Sequence, residues 1–164
     1  MENDELIKYV EDNGEKMSNI RDKWALESRF FKIFVKFEVF LSNMFINYCI
    51  GLPSSKGYNA YRQLEFLDRV HLNNFLRGPA TPYINYVNKI KLSKYIFKTG
   101  CNPFDVILAT TYADDYNQIK TIRDYIAHES MESRSDYTSI CPGQKFIEVN
   151  DFLASFKKGT SITR

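Results

Sequence analysis

Apolar residues recur three and four positions apart through most of this 164-residue chain, the spacing of helices that each bury one face. An acidic start, residues 1 to 16, carries Asn13-Gly14 as a breaker and predicts a short, frayed leading helix. A helical pattern builds from Ile20, becomes dense between Ser28 and Ile50, and stops at Gly51-Leu52-Pro53. In this central helix Lys32, Lys36, Asn43 and Asn47 form one wet stripe, and phenylalanines cover much of the rest. A second amphipathic helix is predicted from Asn59 to Arg77, with Tyr61, Leu64, Leu67 and Val70 turned inward and Gly78-Pro79 ending it. The loop to Pro82 leads to a helix from Tyr83 to Lys98 that packs through Ile84, Val87 and Ile90. Asn102-Pro103 then reads as an N-cap followed by proline at the first helical position. A break is expected at Thr111-x-x-Asp114, a capping box, after which Tyr112, Tyr116, Ile119, Ile122 and Ile126 form one apolar stripe ending near His128. Residues 130 to 136 read as a polar loop, Pro142-Gly143 as a turn, Lys145 to Val149 as a brief extended piece and Asn150 to Lys158 as a closing helix, with a loose tail from Gly159.

These elements predict an all-α fold: a four-to-five-helix up-and-down bundle with a short irregular C-terminal segment, forming a single domain over 1–164 with its core at about 20–158. A hydrophobic content of 44% with 15% aromatics excludes general disorder. Cys49, Cys101 and Cys141 are odd in number and widely spaced, which suggests neither a disulfide framework nor a zinc site and fits a reducing cytoplasm. The N-terminus is acidic where a signal peptide is basic, and no apolar run is long enough to span a bilayer, so no membrane partner is expected. Net charge is only +2, but it is unevenly spread. The first fifteen residues hold six acids, whereas Arg69 to Phe104 holds none and carries Arg69, Arg77, Lys89, Lys91, Lys94 and Lys98. That stretch is either a surface that draws a polyanion or a solvated helix face.

Chemistry concentrates in Ile119 to Glu129, Ile-Lys-Thr-Ile-Arg-Asp-Tyr-Ile-Ala-His-Glu. Arg123 is permanently charged and suits a phosphate; His128 can exchange a proton near neutral pH. Five residues on a continuous helix rotate about 500°, leaving the two side chains roughly 140° apart, and a loosening last turn would bring them closer. Asp124, four residues before His128, is within reach to orient its ring. Glu38 stands two residues beyond Lys36, on the buried side of the central helix with Phe34, Leu41 and Phe45. A buried carboxylate needs a partner, and Arg123 is the candidate; the alternative is a rim position from which Glu38 reaches water. His71 reads as a surface or packing histidine rather than as a ligand or base.

Arg-Asp-Tyr-Ile-Ala-His at the end of an apolar-striped helix resembles the arginine, polar residue, spacer and histidine signature of the HEPN superfamily, many of whose members are small helical ribonucleases of toxin-antitoxin and antiviral systems. Phe37-Glu38-Val39-Phe40-Leu41 in an early helix and Asn102-Pro103-Phe104 before the motif helix are similar to the branch with RiboL-PSP-type domains. The resemblance implies a metal-independent endoribonuclease that needs no cofactor, with Arg123 and His128 catalytic and Glu38 and Asp124 supporting. It also implies RNA as substrate, a homodimer whose two motifs share one cleft, and an antitoxin or other regulatory protein as partner. Asp124 stands where the family often has asparagine, which adds a negative charge beside the phosphate. The tyrosine found two residues after the histidine in toxins silenced by adenylylation is missing, since residue 130 is Ser130.

RNA carries its own nucleophile, the 2′-hydroxyl, so cutting it requires only a proton-transfer group and a cation for the phosphorane. The chain has no nucleotide-binding glycine loop and no metal-ligand cluster in its sequence. Lys91, Lys94 and Lys98, interleaved with Tyr95 and Phe97, and Arg134 beyond the motif are candidate RNA contacts. The rival expectation is a non-catalytic helical module for dimerisation or for binding RNA or nucleotides, in which Arg123, Asp124, His128 and Glu38 form a polar network that fixes helix register.

Overall fold

A computed structural model describes residues 3–18, 23–77, 84–105 and 111–155. The helices are α1 (Asn3–Ser18), α2 (Lys23–Cys49), α3 (Arg69–Leu76), α4 (Tyr86–Lys89), α5 (Ser93–Ile96), α6 (Thr111–His128), α7 (Met131–Ile140) and α8 (Val149–Ser155). Among the described residues there is no strand, only an isolated antiparallel bridge between Arg62 and Phe97, so the fold is all-α. None of the described helices is long and apolar enough to cross a membrane. The chain packs as two compact units, one of residues 37–109 with the first three, the other of 4–36 and 110–164.

In the first unit the second half of α2 buries Leu41, Phe45, Ile46, Tyr48 and Cys49. Phe45, Tyr48 and Phe97 meet Phe104 at ring distances of 5.7–6.2 Å. The helix ends as its glycine predicts. Leu52 N–H donates to the Asn47 carbonyl and Gly51 N–H to that of Tyr48, with Gly51 at φ 84°, the left-handed cap that glycine adopts without a Cβ clash. Arg62 Nη1 donates to the Cys49 carbonyl at 3.1 Å. Its guanidinium lies where a Cβ on residue 51 would stand.

The predicted helix over 59–77 is mostly not one. Only Arg69–Leu76 is helical, capped by Asp68, whose side chain accepts from His71 N–H. Upstream, Gln63 and Leu64 N–H donate to the Ile96 carbonyl, and Lys98 N–H to that of Tyr61. Backbone pairing with the end of α5 therefore replaces helical bonding there. Tyr61, Leu64, Leu67 and Val70 are exposed, Leu67 by 91%, and the buried residues are Phe66, Leu72 and Leu76. Gly78 to Tyr83 lie outside the described residues. From Tyr86 to Ile96 the chain stays helical, tightened to a 3₁₀ turn at Ile90–Leu92; Phe97 and Lys98 are already extended or loop. Asn102 Oδ1 accepts from Phe104 N–H at 3.1 Å, the predicted cap, and residues 106–110 beyond it are outside the described residues.

In the second unit α1 continues through Asn13 and Gly14 rather than breaking there. It buries Leu6 and places Tyr9 5.6 Å from Lys36 Nζ. The core joins Leu26 and Phe30 of α2, Ile122, Tyr125 and Ile126 of α6, Tyr137 and Cys141, and Val149, Phe152 and Leu153 of α8. Tyr125 and Tyr137 stack with centroids 4.9 Å apart and planes 2° from parallel, and the Tyr137 hydroxyl donates to the Ile147 carbonyl. Burial pushes that hydroxyl's pKa above its ordinary range. The segment 130–136 is helical, not a loop. Ser130 Oγ accepts from Ser133 N–H and Ser133 Oγ from Ser130 N–H, a reciprocal cap that starts α7 with only Glu129 and Ser130 between it and α6. Tyr112, placed on the inner stripe by its spacing, is exposed. The closing helix is present from Val149 to Ser155, and residues 156–164 lie outside the described residues.

Candidate functional site

Helix α6 carries both motif residues. Ile122 at its centre is fully buried and Ile119 and Ile126 are half-buried, so the helix is anchored along the predicted stripe. Arg123, the neighbour of Ile122, is drawn partly inward. Its guanidinium carbon lies 5.5 Å from the centre of the Phe34 ring, and that ring also stacks against Tyr116 at 5.8 Å. A cation over an aromatic face in a partly desolvated place is held more firmly than one in water. Arg123 Nη1 also donates to Asp124 Oδ1.

Asp124 faces two cations. Its Oδ1 accepts from Arg123 and its Oδ2 from Lys120, one turn earlier. Both oxygens of the residue assigned by spacing to orient His128 are therefore engaged by Arg123 and Lys120. Lys120 escaped the sequence reading, although its i,i+4 distance from Asp124 is the signal of such a pair.

His128 is the last residue of α6 and is exposed. The helix does not loosen before it: Glu129 N–H donates to the Tyr125 carbonyl at 2.9 Å, a regular i→i−4 bond. Arg123 and His128 therefore keep the roughly 140° divergence and roughly 7.5 Å rise of an ordinary helix. Glu129 then turns the chain, at φ 46°, into the Ser130 cap.

The remaining candidates are spread over the two units. Glu38 is half-buried on α2 in the first unit, between buried Phe34 and Leu41 in sequence. Lys91, Lys94 and Lys98 are exposed in the first unit, with Lys94 Nζ 4.9 Å from the centre of the Tyr95 ring. Arg134, in the second, lies over Phe146 at 4.2 Å. His71 is exposed, accepts from Leu67 N–H through Nδ1 at 3.4 Å and sets its ring edge against Phe66. Among the described residues no group of three or more His, Cys, Asp or Glu is arranged to hold a metal ion.

Sequence reasoning also passed over Trp24 and Glu27 at the start of α2. Trp24 is the single tryptophan of the chain and is 78% exposed. Glu27 accepts from the buried Asn150 Nδ2 at 2.6 Å. The chain's one tryptophan set beside charged residues in Lys23-Trp24-Ala25-Leu26-Glu27 is the signal that marks them. Comparison of the chain with family models, with curated proteins and with solved structures returns no match.

Proposed function

We propose that this protein is a HEPN-like, metal-independent endoribonuclease of a toxin or antiviral-defence system, folded as a helical bundle and acting as a homodimer. The observation that carries the reading is the placement of Arg123 and His128 in the last two turns of α6, the first braced and the second exposed. A braced guanidinium suits a fixed phosphate, since little ordering remains to be done when the substrate arrives. An exposed imidazole suits proton exchange with a ribose hydroxyl or a leaving oxygen.

The 2′-hydroxyl of RNA attacks the adjacent phosphorus as His128 removes its proton, and Arg123 compensates the charge that builds on the phosphorane oxygens. The P–O5′ bond then breaks and the leaving oxygen takes up a proton, giving a 2′,3′-cyclic phosphate and a 5′-hydroxyl. DNA, lacking the attacking group, is left intact. One histidine poorly serves as both the base that takes the 2′-proton and the acid that protonates the leaving oxygen, and the divergence of Arg123 from His128 on a regular helix separates the cation from the base within one chain. A second copy answers both needs, because its histidine can face the first copy's arginine across a shared cleft. Lys91, Lys94 and Lys98 would hold phosphates away from the reacting one. An antitoxin or other regulatory protein would restrain the activity.

A second reading is favoured by the engagement of Asp124 by Lys120 and Arg123: a non-catalytic module for dimerisation or for binding RNA or nucleotides, in which these charges stabilise α6 itself. Incubating wild type and His128→Ala with labelled single-stranded RNA in EDTA, with end-group analysis of the products, separates the two. Cyclic-phosphate products from wild type alone support the enzyme. Absence of cleavage by a folded, dimeric wild type supports the module.

A further inference from the structure

A shallow groove of about 250 Å³ runs along the second unit between the start of α2 and the end of α6, lined by Trp24, Glu27, Phe31, Ile126, Ala127 and Glu129 among others. It continues the seam that holds Arg123. Phe31 stands three residues before Phe34, and Ile126 and Ala127 stand three and four residues after Arg123, so each pair shares a helix face. The groove therefore opens one helical turn from the guanidinium.

We infer that this groove is a base-binding subsite that takes guanine from the RNA strand whose phosphate meets Arg123. The inference rests on the ribonuclease reading for the phosphate half and on the groove itself for the base half. Trp24 offers an exposed indole on which a base can stack, and Phe31, Ile126 and Ala127 give the groove an apolar lining. Two carboxylates in the lining, Glu27 and Glu129, accept hydrogen bonds and cannot donate them. Guanine alone among the four bases presents two adjacent N–H donors, N1–H and the 2-amino group, on its pairing edge, whereas adenine and cytosine pair one donor with an acceptor that a carboxylate repels. Glu27 is preorganised for this task. Its Oε1 is held by the amide of Asn150, which is 8% exposed, on a helix 123 residues away in sequence.

The volume lies below the roughly 300–1,000 Å³ of pockets that take drug-sized ligands, a match for one ring system. A basic helix of a partner protein would also suit the carboxylates, but its stable docking needs an apolar face several turns long, on the order of 800 Å² per partner. The groove is too short for that.

Because Trp24 is the only tryptophan, the chain's indole fluorescence reports on this groove alone. Titration of the full chain with guanosine 3′-monophosphate is expected to quench that emission saturably, with the adenosine, cytidine and uridine nucleotides weaker by roughly tenfold or more. Glu27→Gln should erase the preference for guanine, and Trp24→Ala, read by calorimetry, should weaken binding by roughly 5- to 100-fold. Equal quenching by all four nucleotides, no quenching, or quenching by a lysine- and arginine-rich peptide alone overturns the subsite. Guanosine quenching in a protein that cuts no RNA keeps the subsite and removes the ribonuclease. Cleavage without quenching and without preference for sites after guanosine does the reverse.

Discussion

The guanidinium of Arg123 rests over the Phe34 ring at 5.5 Å, and the same ring stacks on Tyr116. Phe34 is thus a positioning residue for the cation. Phe34→Leu keeps an apolar side chain in a 3% exposed site but removes both ring interactions. Cation–π and aromatic pairing are each worth about 0.5–1.5 kcal/mol, so a loss of about 1–2 kcal/mol in urea unfolding is expected. If Arg123 acts on the phosphate, RNA cleavage should fall further than stability alone explains at a temperature where the variant stays folded. Unchanged cleavage by that variant would show that the Phe34 ring does not position the cation.

His128 ends α6 in the open, where side-chain truncation disturbs no packing. His128→Ala should therefore change stability by no more than about 0.5 kcal/mol. On the ribonuclease reading it should lower cleavage on the order of a hundredfold or more, the usual effect of losing a general acid or base. A cooperative loss of folding on this substitution, followed by circular dichroism, would instead place His128 in a register-fixing network.

What could be read from the chain was what local spacing decides. The long apolar run, the lysine and asparagine stripe and Gly51 together foretold α2 and its left-handed end, and Ile119, Ile122 and Ile126 foretold α6. The misreadings have a common physical form. Tyr61, Leu64 and Leu67 have helical spacing, yet residues 61–64 give their backbone to Ile96 and Lys98, 32 to 37 residues away, which no local pattern records. Residues 130–136 look like loop because α7 buries only Ser133 and Tyr137; the serine pair at its start was the overlooked signal. At the site, Arg123 and His128 were legible as residue types. Their brace was not, since Phe34 is remote in sequence and Lys120 takes part of Asp124 by a contact that spacing permits without requiring.

Glu129 joins α6 to α7 at φ 46°, a conformation that costs a residue with a Cβ about 1–2 kcal/mol and glycine almost nothing. Glu129→Gly should stabilise the protein by up to about 1 kcal/mol, seen as a rise of roughly 2–4 °C in Tm for a chain of this size. The same change removes one carboxylate from the guanine groove. Greater stability with weaker guanosine binding is the expected pairing, and a lower Tm would mean that the Glu129 side chain contributes more than its backbone costs.

Alkali should unfold this protein early, and the reason lies in protons buried in both units. Cys49 is fully buried, and burial raises its thiol from an ordinary 9.0 to about 12, with the nearby Arg62 opposing. Burial likewise raises the hydroxyls of Tyr48 and Tyr137 above 10.0. Below pH 9 folded and unfolded chains both keep these protons, so pH has no leverage through them. Between about 9 and 12 the unfolded chain releases the Cys49 proton while the folded chain retains it, and above 10 the tyrosines add to the difference. The folded state then binds more protons, so stability falls as pH rises. Cys49 alone should remove on the order of 1.4 kcal/mol for each pH unit in that window. Urea midpoints at pH 8, 9 and 10 test this, with Cys49→Ala as the control: the variant starts lower, having lost packing, but should decline less steeply. Parallel declines would show that the thiol proton carries none of the effect. The same burial predicts that a thiol reagent at pH 8 labels Cys101, which is half-exposed, well before Cys49 or Cys141.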